Sequence, residues 1–194
     1  MKSVMISIKP KRCELIANGK KTIEVRKTKP KIETPFKCYI YCTQEKYKNK
    51  YLHTSNKKNR LLFWHNNGDC EIVCEPEHTS YTAYSCNGKV IGHFVCDGIL
   101  SHCEMANADI AEQQGKIKRE ELIKYANGKE VYGWHISDLK IYDEPKELSK
   151  FKKINRKCWY ADLGIAKRDC PECKNADCFL TSPSQPWCYV EELR

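Results

Sequence analysis

The stretch Gly19-Lys20-Lys21-Thr22-Ile23-Glu24-Val25-Arg26 is the most informative part of this sequence. It begins after Asn18, and an Asn-Gly pair is typical of a left-handed helix C-cap. On a strand, Thr22, Glu24 and Arg26 would share one face, while Ile23 and Val25 would enter the core. Residues 19–26, called the charged segment below, are therefore predicted to connect the end of a helix to a charged strand.

The residues around the charged segment predict the order strand, helix, strand, strand. Residues 2–9 alternate in hydrophobicity and predict a strand. Pro10 follows, and proline is well tolerated in the first turn of a helix. Later strands are predicted at residues 90–100, 131–142 and 187–192. A bulge is expected at Gly92 in the first of these, and Pro145 is expected to end the second. A short helix is predicted at residues 119–126. Many short strands and few short helices predict an α+β fold with a small curved sheet, either barrel or sandwich.

The domain organisation is predicted from length and from shifts in composition. A chain of 194 residues fits one domain that spans residues 1–194. Residues 44–86 have no clear periodicity and are interpreted as an insertion. Residues 158–180 are rich in cysteine and are interpreted as an appendage within the same domain.

The composition also predicts the compartment. No apolar run approaches the roughly 20 residues of a membrane helix, so we expect no membrane partner. The first residues contain no long apolar stretch of the signal-peptide type, so we expect a cytoplasmic protein. The 13 cysteines then predict reduced thiols or metal ligands, and an odd count cannot pair completely within one chain.

Positive charge is concentrated in the first third of the chain. Residues 1–60 hold 17 Lys or Arg and four acids, a balance of +13, and the rest holds 17 basic and 21 acidic residues, a balance of −4. Such a basic region favours a polyanionic partner through release of counterions. A solubilising lysine surface explains the same charge equally well.

The charged segment resembles the signature of the ASCH family, which is glycine, any residue, lysine, four residues and arginine. Together with the strand pattern at residues 4–10, the resemblance covers mainly residues 4–43, with weaker agreement at 89–96 and 132–145. Residues 44–86 and 158–180 have no counterpart in the minimal domain. ASCH domains are small PUA-like β-barrels linked to RNA. The resemblance therefore implies a PUA-like mixed β-barrel that binds RNA or a nucleotide.

The resemblance also implies a ligand-binding cleft along the charged segment. Gly19, Lys21 and Arg26 match the family signature, and Glu24 matches the acid often found between them. Together with Thr22, these residues are the predicted ligand-binding set. Without the resemblance, alternating charges of this kind usually form a solvated face, where an exposed ion pair contributes only about 0–1 kcal/mol.

Two hydrolytic activities are associated with relatives, namely cleavage of RNA and deacylation of N4-acetylcytidine. Lys21 and Glu24 are the candidate catalytic residues, with Lys21 as base or proton donor and Glu24 positioning water. The deacylase pattern has a threonine where this chain has Glu24, and a carboxylate cannot donate a proton as a hydroxyl can. Whether the protein is an enzyme is left open by the sequence.

A basic stretch inside the insertion is a second candidate nucleic-acid surface. Lysines alternate there with aromatic residues, and such mixtures bind single strands by tracking phosphates and stacking bases. The candidates are Tyr51, Lys57 and Lys58. The alternative is a loop whose aromatic rings fold back onto the domain.

The cysteine-rich segment predicts a structural zinc site. A Cys-x-x-Cys pair with two further thiols suits tetrahedral Zn²⁺, and such a site would stabilise a tail too short for its own core. Reduced thiols without metal remain the alternative, as does Cys188 as fourth ligand. A zinc-stabilised protein-interaction adaptor is accordingly the third functional class. The predicted ligands are Cys158, Cys170, Cys173 and Cys178.

Overall fold

The structure, a computed structural model, describes residues 2–46, 61–66, 69–74, 84–154, 179–183 and 185–193. The helical elements are α1 (Pro10–Ala17), α2 (His102–Met105), a π-helix (Ile110–Gln114), α3 (Arg119–Ala126) and a 3₁₀ turn (Leu148–Lys150). The strands are β1 (Lys2–Ile8), β2 (Ile23–Arg26), β3 (Phe36–Cys42), β4 (Glu45–Lys46), β5 (Leu61–Asn66), β6 (Asp69–Cys74), β7 (Tyr84–Ser85), β8 (Lys89–Cys96), β9 (Ile99–Leu100), β10 (Tyr132–His135), β11 (Ser137–Glu147) and β12 (Trp187–Glu191).

Two sheets carry most of the domain. A five-stranded sheet has the order β11-β8-β3-β1-β12, in which β1 and β3 are parallel and the other neighbours antiparallel. The parallel pair is possible because α1 and β2 form the crossover between those strands. A three-stranded antiparallel sheet has the order β2-β10-β9. The prediction of an α+β fold built on a mixed curved sheet is confirmed.

The two sheets share one core, which Trp134 of β10 connects. Its indole is fully buried and packs edge-on against Phe36 of β3, with ring centroids 5.9 Å apart. The same cluster contains residues of β1, α1 and β8. Several cysteines are core residues too, among them Cys13 and Cys38, and burial raises the pKa of both thiols well above the ordinary value.

Some boundaries differ from the sequence-based expectation. Strand β11 continues through Pro145, where we expected it to end. This prediction was wrong because β11 is an edge strand, and Pro145 falls in the irregular stretch between Ile141 and Lys146, where no ladder N–H is required. The bulge expected at Gly92 is present as a shift in register between β3 and β8.

The predicted insertion contains regular structure. Strands β4 to β7 form an antiparallel sheet between residues 45 and 85, although the sequence has no clear periodicity there. Among the described residues, no helix is long and apolar enough to cross a membrane.

A buried ion cluster at the wall of a cavity

The charged segment begins where the sequence predicted, because Gly19 ends α1 with φ +64°. A Cβ at this position would meet no atom within 4 Å, so the glycine is required by its backbone conformation and not by crowding. Lys21 lies in the connection to β2, where its N–H donates to the Leu15 carbonyl at 3.0 Å. Strand β2 then places Glu24 opposite Trp134 of β10.

Lys21, Glu24 and Arg26 form a buried ion cluster. Glu24 Oε1 lies 2.9 Å from Arg26 Nη2, and Glu24 Oε2 lies 3.4 Å from Lys21 Nζ. The exposed fractions of the three side chains are 0% for Lys21, 3% for Glu24 and 12% for Arg26. The interpretation as a solvated face is therefore excluded, because the three ionic groups converge inside the protein.

Lys21 is engaged inside the protein. Its ammonium donates a hydrogen bond of 2.6 Å to the carbonyl of Gly115, which lies 94 residues later in the sequence. A Cβ on Gly115 would come within 2.7 Å of the Ala111 carbonyl oxygen and 3.3 Å of Val25 Cγ2. Lys21 therefore holds the segment after the π-helix against β2.

Arg26 connects β2 to β1. Its Nη2 donates to the carbonyl of Ser7 at 2.6 Å and also contacts Glu24. The guanidinium thus bridges the end of β1 in the five-stranded sheet and the carboxylate on β2 in the three-stranded sheet. This bridge fixes the relative position of the two sheets at the site.

Two polar atoms of this cluster lack a hydrogen-bond partner among the described residues. They are Glu24 Oε2, whose contact with Lys21 is ionic without hydrogen-bond geometry, and Arg26 Nε. Roughly 90% or more of buried polar groups in proteins are hydrogen-bonded, so such exceptions require an explanation. One is an acceptor and the other a donor; both are shielded from solvent, and Lys21 balances the charge of Oε2.

A cavity of about 770 Å³ opens beside these atoms. Glu24 and Arg26 line it together with Lys9 and Arg12 from the start of α1 and Tyr125 from α3. Its three basic side chains outnumber the single carboxylate, so the cavity favours an anionic ligand. Cavities of this size hold small-molecule ligands in many proteins.

The charges around Glu24 determine its ionisation. Burial by itself raises the pKa of the carboxyl, but Lys21, Arg26 and Arg12 oppose this effect, and the net pKa lies below the ordinary value. For Lys21, burial lowers the pKa more than Glu24 raises it, so the ammonium loses its proton more readily than a free lysine. Glu24 is thus an ionised hydrogen-bond acceptor at neutral pH.

A pH series on Glu24→Gln checks this ionisation. Because folding lowers the pKa of Glu24, its charge stabilises the fold above the unfolded value of about 4.3, and this stabilisation is lost as pH falls through the folded pKa. The free energy of unfolding of Glu24→Gln should therefore lie below that of the unmodified protein at neutral pH, and the gap should narrow towards about pH 3. Denaturant unfolding measures both.

The control for this series is Glu120→Gln, which changes an exposed carboxylate of α3. Its free energy of unfolding should stay within about 0.5 kcal/mol of the unmodified protein across the same range. A gap for Glu24→Gln that stays constant with pH would contradict the lowered pKa.

The other predicted site residues either lie away from the cavity surface or fall outside the described residues. Gly19 and Thr22 are not among the residues that line the described cavity, and neither is Lys21. Thr22 instead uses its backbone, whose N–H donates to the Gln114 carbonyl at 3.0 Å. The other predicted nucleic-acid contacts and the predicted zinc ligands lie outside the described residues. They are Tyr51, Lys57 and Lys58, and Cys158, Cys170, Cys173 and Cys178. The zinc site accordingly stays a prediction.

Sequence reasoning missed Arg12 and Tyr125. Arg12 lies in the first turn of α1, seven residues before the charged segment, and its position after a predicted helix-starting proline was the available signal. Tyr125 comes from α3, and the sequence contains no signal that α3 would lie beside β2. Contacts between distant segments decide both positions.

Comparisons with known proteins give a likeness of structure only. No protein-family model matches the chain, and no curated protein matches it. The solved structure of the ASCH protein from Zymomonas mobilis superposes with a TM-score of 0.46 at 15% identity, over 75% of this chain and 73% of that one. One single-residue variant of that protein gives a TM-score of 0.47 at 15% identity, over 76% of this chain and 77% of that one. A second variant gives 0.46 at 16% identity, over 75% of this chain and 74% of that one.

Proposed function

We propose that this protein binds RNA or a nucleotide in the cavity beside Glu24 and Arg26. The observation that carries the proposal is the cavity wall, where the Glu24 carboxylate and the Arg26 guanidinium, 2.9 Å apart, place a hydrogen-bond acceptor beside a donor. Base edges present donors and acceptors side by side, which is the arrangement that such a pair complements.

The charge of the cavity supports the same class of ligand. Lys9, Arg12 and Arg26 give its lining an excess of positive charge, which attracts phosphate. The ring of Tyr125 adds an aromatic surface to the wall, and aromatic rings stack on bases. Tyr51, Lys57 and Lys58, which lie outside the described residues, are proposed to make further contacts with a nucleic-acid ligand.

The binding of a short single-stranded RNA to Arg26→Lys tests the proposal. Lysine keeps the charge but removes Nε and the planar fork of donors. Loss of a bidentate contact should weaken binding by roughly 10- to 100-fold, since such contacts are worth about 1–3 kcal/mol. Isothermal titration at fixed salt measures the dissociation constant.

Arg119→Lys is the matched control, because Arg119 is an exposed arginine outside the described cavity lining. Its dissociation constant should equal that of the unmodified protein. An unmodified protein that binds neither RNA nor nucleotide would overturn the proposal, and so would equal affinities for the two arginine variants.

A hydrolase is the second candidate, acting on RNA or an acylated nucleoside. The favouring observation is the lowered pKa of Lys21, 3.4 Å from an ionised Glu24, since a lysine that releases its proton readily can act as a base. Lys21 lies behind Glu24 and not at the cavity surface, so Glu24 is the group that would meet water or substrate. Incubation of the purified protein with RNA and with N4-acetylcytidine, followed by product analysis, separates catalysis from binding.

A further inference from the structure

The cations near the cavity differ in what they already bind. Lys21 Nζ donates to the Gly115 carbonyl, and Arg26 Nη2 donates to the Ser7 carbonyl and contacts Glu24. Arg12 lines the cavity and is half-buried, yet its guanidinium makes no hydrogen bond or ion pair with any residue that the structure describes. Arg12 is therefore the cation whose hydrogen-bonding capacity is available to a ligand.

Arg12 lies at the positive end of α1. The helix begins at Pro10 with Lys9 as N-cap, and no side chain caps it. Its first turn contains no acidic residue that would offset the dipole. Helix N-termini attract anions through the dipole. Pro10 has no N–H here, and the N–H of Arg12 donates to the Lys9 carbonyl at 2.9 Å, so the guanidinium of Arg12 supplies the donors and adds a full charge.

Glu24 disfavours an anion placed directly against it in the cavity. Its carboxylate is ionised and can only accept hydrogen bonds, so it repels a phosphate placed beside it. Its side chain lines the cavity and is 3% exposed. A ligand must therefore present an N–H or O–H to Glu24 and its anionic group elsewhere.

We propose that the cavity has two subsites, one for a phosphate at Arg12 and the start of α1 and one for an N–H donor of a base at Glu24. The ligand class is therefore a phosphorylated nucleoside and not the free nucleoside. This inference rests on the proposed function and assigns separate roles to two groups in the lining of the same cavity. The phosphate belongs either to a mononucleotide or to the backbone of a strand.

Titration of four probes separates these possibilities. The probes are cytidine, cytidine 5′-monophosphate, a short single-stranded RNA and inorganic phosphate, each measured at the same low salt. Charge-assisted hydrogen bonds to phosphate are worth about 1.5–3 kcal/mol, so the monophosphate should bind roughly 10-fold or more tightly than cytidine. Inorganic phosphate should compete with the monophosphate.

Arg12→Gln should remove this preference, so that cytidine and its monophosphate bind almost equally. Arg12→Lys keeps the charge and should retain part of the preference for the monophosphate. This result would show that the loss in Arg12→Gln arises from the missing charge and not from misfolding. Lys11→Gln is the matched control, because Lys11 is the exposed neighbour on α1 and its loss changes net charge equally. Lys11→Gln should keep the full preference.

The outcomes distinguish this inference from the proposed function. If cytidine binds as tightly as the monophosphate, the phosphate subsite is wrong while nucleotide binding stands. If only the RNA binds and Arg12→Gln weakens it roughly 10-fold or more, the phosphate comes from a strand. If Arg12→Gln binds RNA as Lys11→Gln does, the subsite is overturned, and if no nucleic-acid probe binds, both proposals are wrong.

Discussion

Lys21→Ala is expected to lower the free energy of unfolding by about 3–5 kcal/mol, because it breaks a buried ion cluster by removing one partner. The Lys21 side chain is fully buried, and its ammonium donates to the Gly115 carbonyl at 2.6 Å. Alanine leaves that carbonyl without its donor and leaves Glu24 Oε2 without the cation 3.4 Å away. The variant also leaves a cavity where the aliphatic chain was packed.

Lys20→Ala is the matched control for this prediction. Lys20 is the adjacent lysine, and its side chain is exposed. Its replacement should change the free energy of unfolding by no more than about 0.5 kcal/mol. Denaturant unfolding at neutral pH measures both variants, and equal stability of the two would show that Lys21 is not engaged as described.

Trp134→Ala is expected to destabilise the protein by about 3–5 kcal/mol, the usual range for removal of a buried aromatic side chain. Trp134 is fully buried and packs against Phe36 and Trp187, with ring centroids 5.9 and 6.0 Å away. It is the β10 residue opposite Glu24, so its loss also loosens the packing that holds β10, and with it the paired strand β2, against the five-stranded sheet. Ligand binding should weaken together with stability.

Trp187→Ala provides the comparison, since Trp187 is half-buried and its indole N–H donates to Thr28 Oγ1 at 3.0 Å. A smaller loss of stability is expected because less apolar surface is removed from the core. Trp134→Phe should also cost less than Trp134→Ala, since phenylalanine fills part of the volume and removes a buried indole N–H that has no described partner. Thermal unfolding ranks the three variants, and a larger loss for Trp187→Ala would contradict the assignment of Trp134 as the connecting residue.

Much of the fold near the chain's start was predictable because its signals are local. Alternation at Lys2–Ile8, proline at the first position of α1 and the glycine after Asn18 all report on neighbouring residues. Predicted strand ends were wrong where the position of the strand in the sheet decides them. Pro145 is compatible with β11 only because that strand lies at an edge.

The sequence pointed to two residues of the cavity lining, Glu24 and Arg26, but not to the rest of the lining. The sequence placed Glu24 and Arg26 on one strand face, which two-residue periodicity determines. It left open whether that face was solvated, since burial depends on the segment that covers it. The covering residue Gly115 is 94 positions away from Lys21, beyond the reach of any local pattern.

By itself, the sequence determined that a glycine-capped helix leads into a strand with Lys21, Glu24 and Arg26 close together, and that the first third of the chain is basic. These features follow from backbone conformation, side-chain alternation and composition, which act over a few residues. Only the tertiary structure decided that the three ionic groups are buried, and that Arg12 and Tyr125 face the cavity beside them. The physical reason is that burial and ionisation depend on which distant segments exclude water, and contacts between distant segments form only in the folded chain.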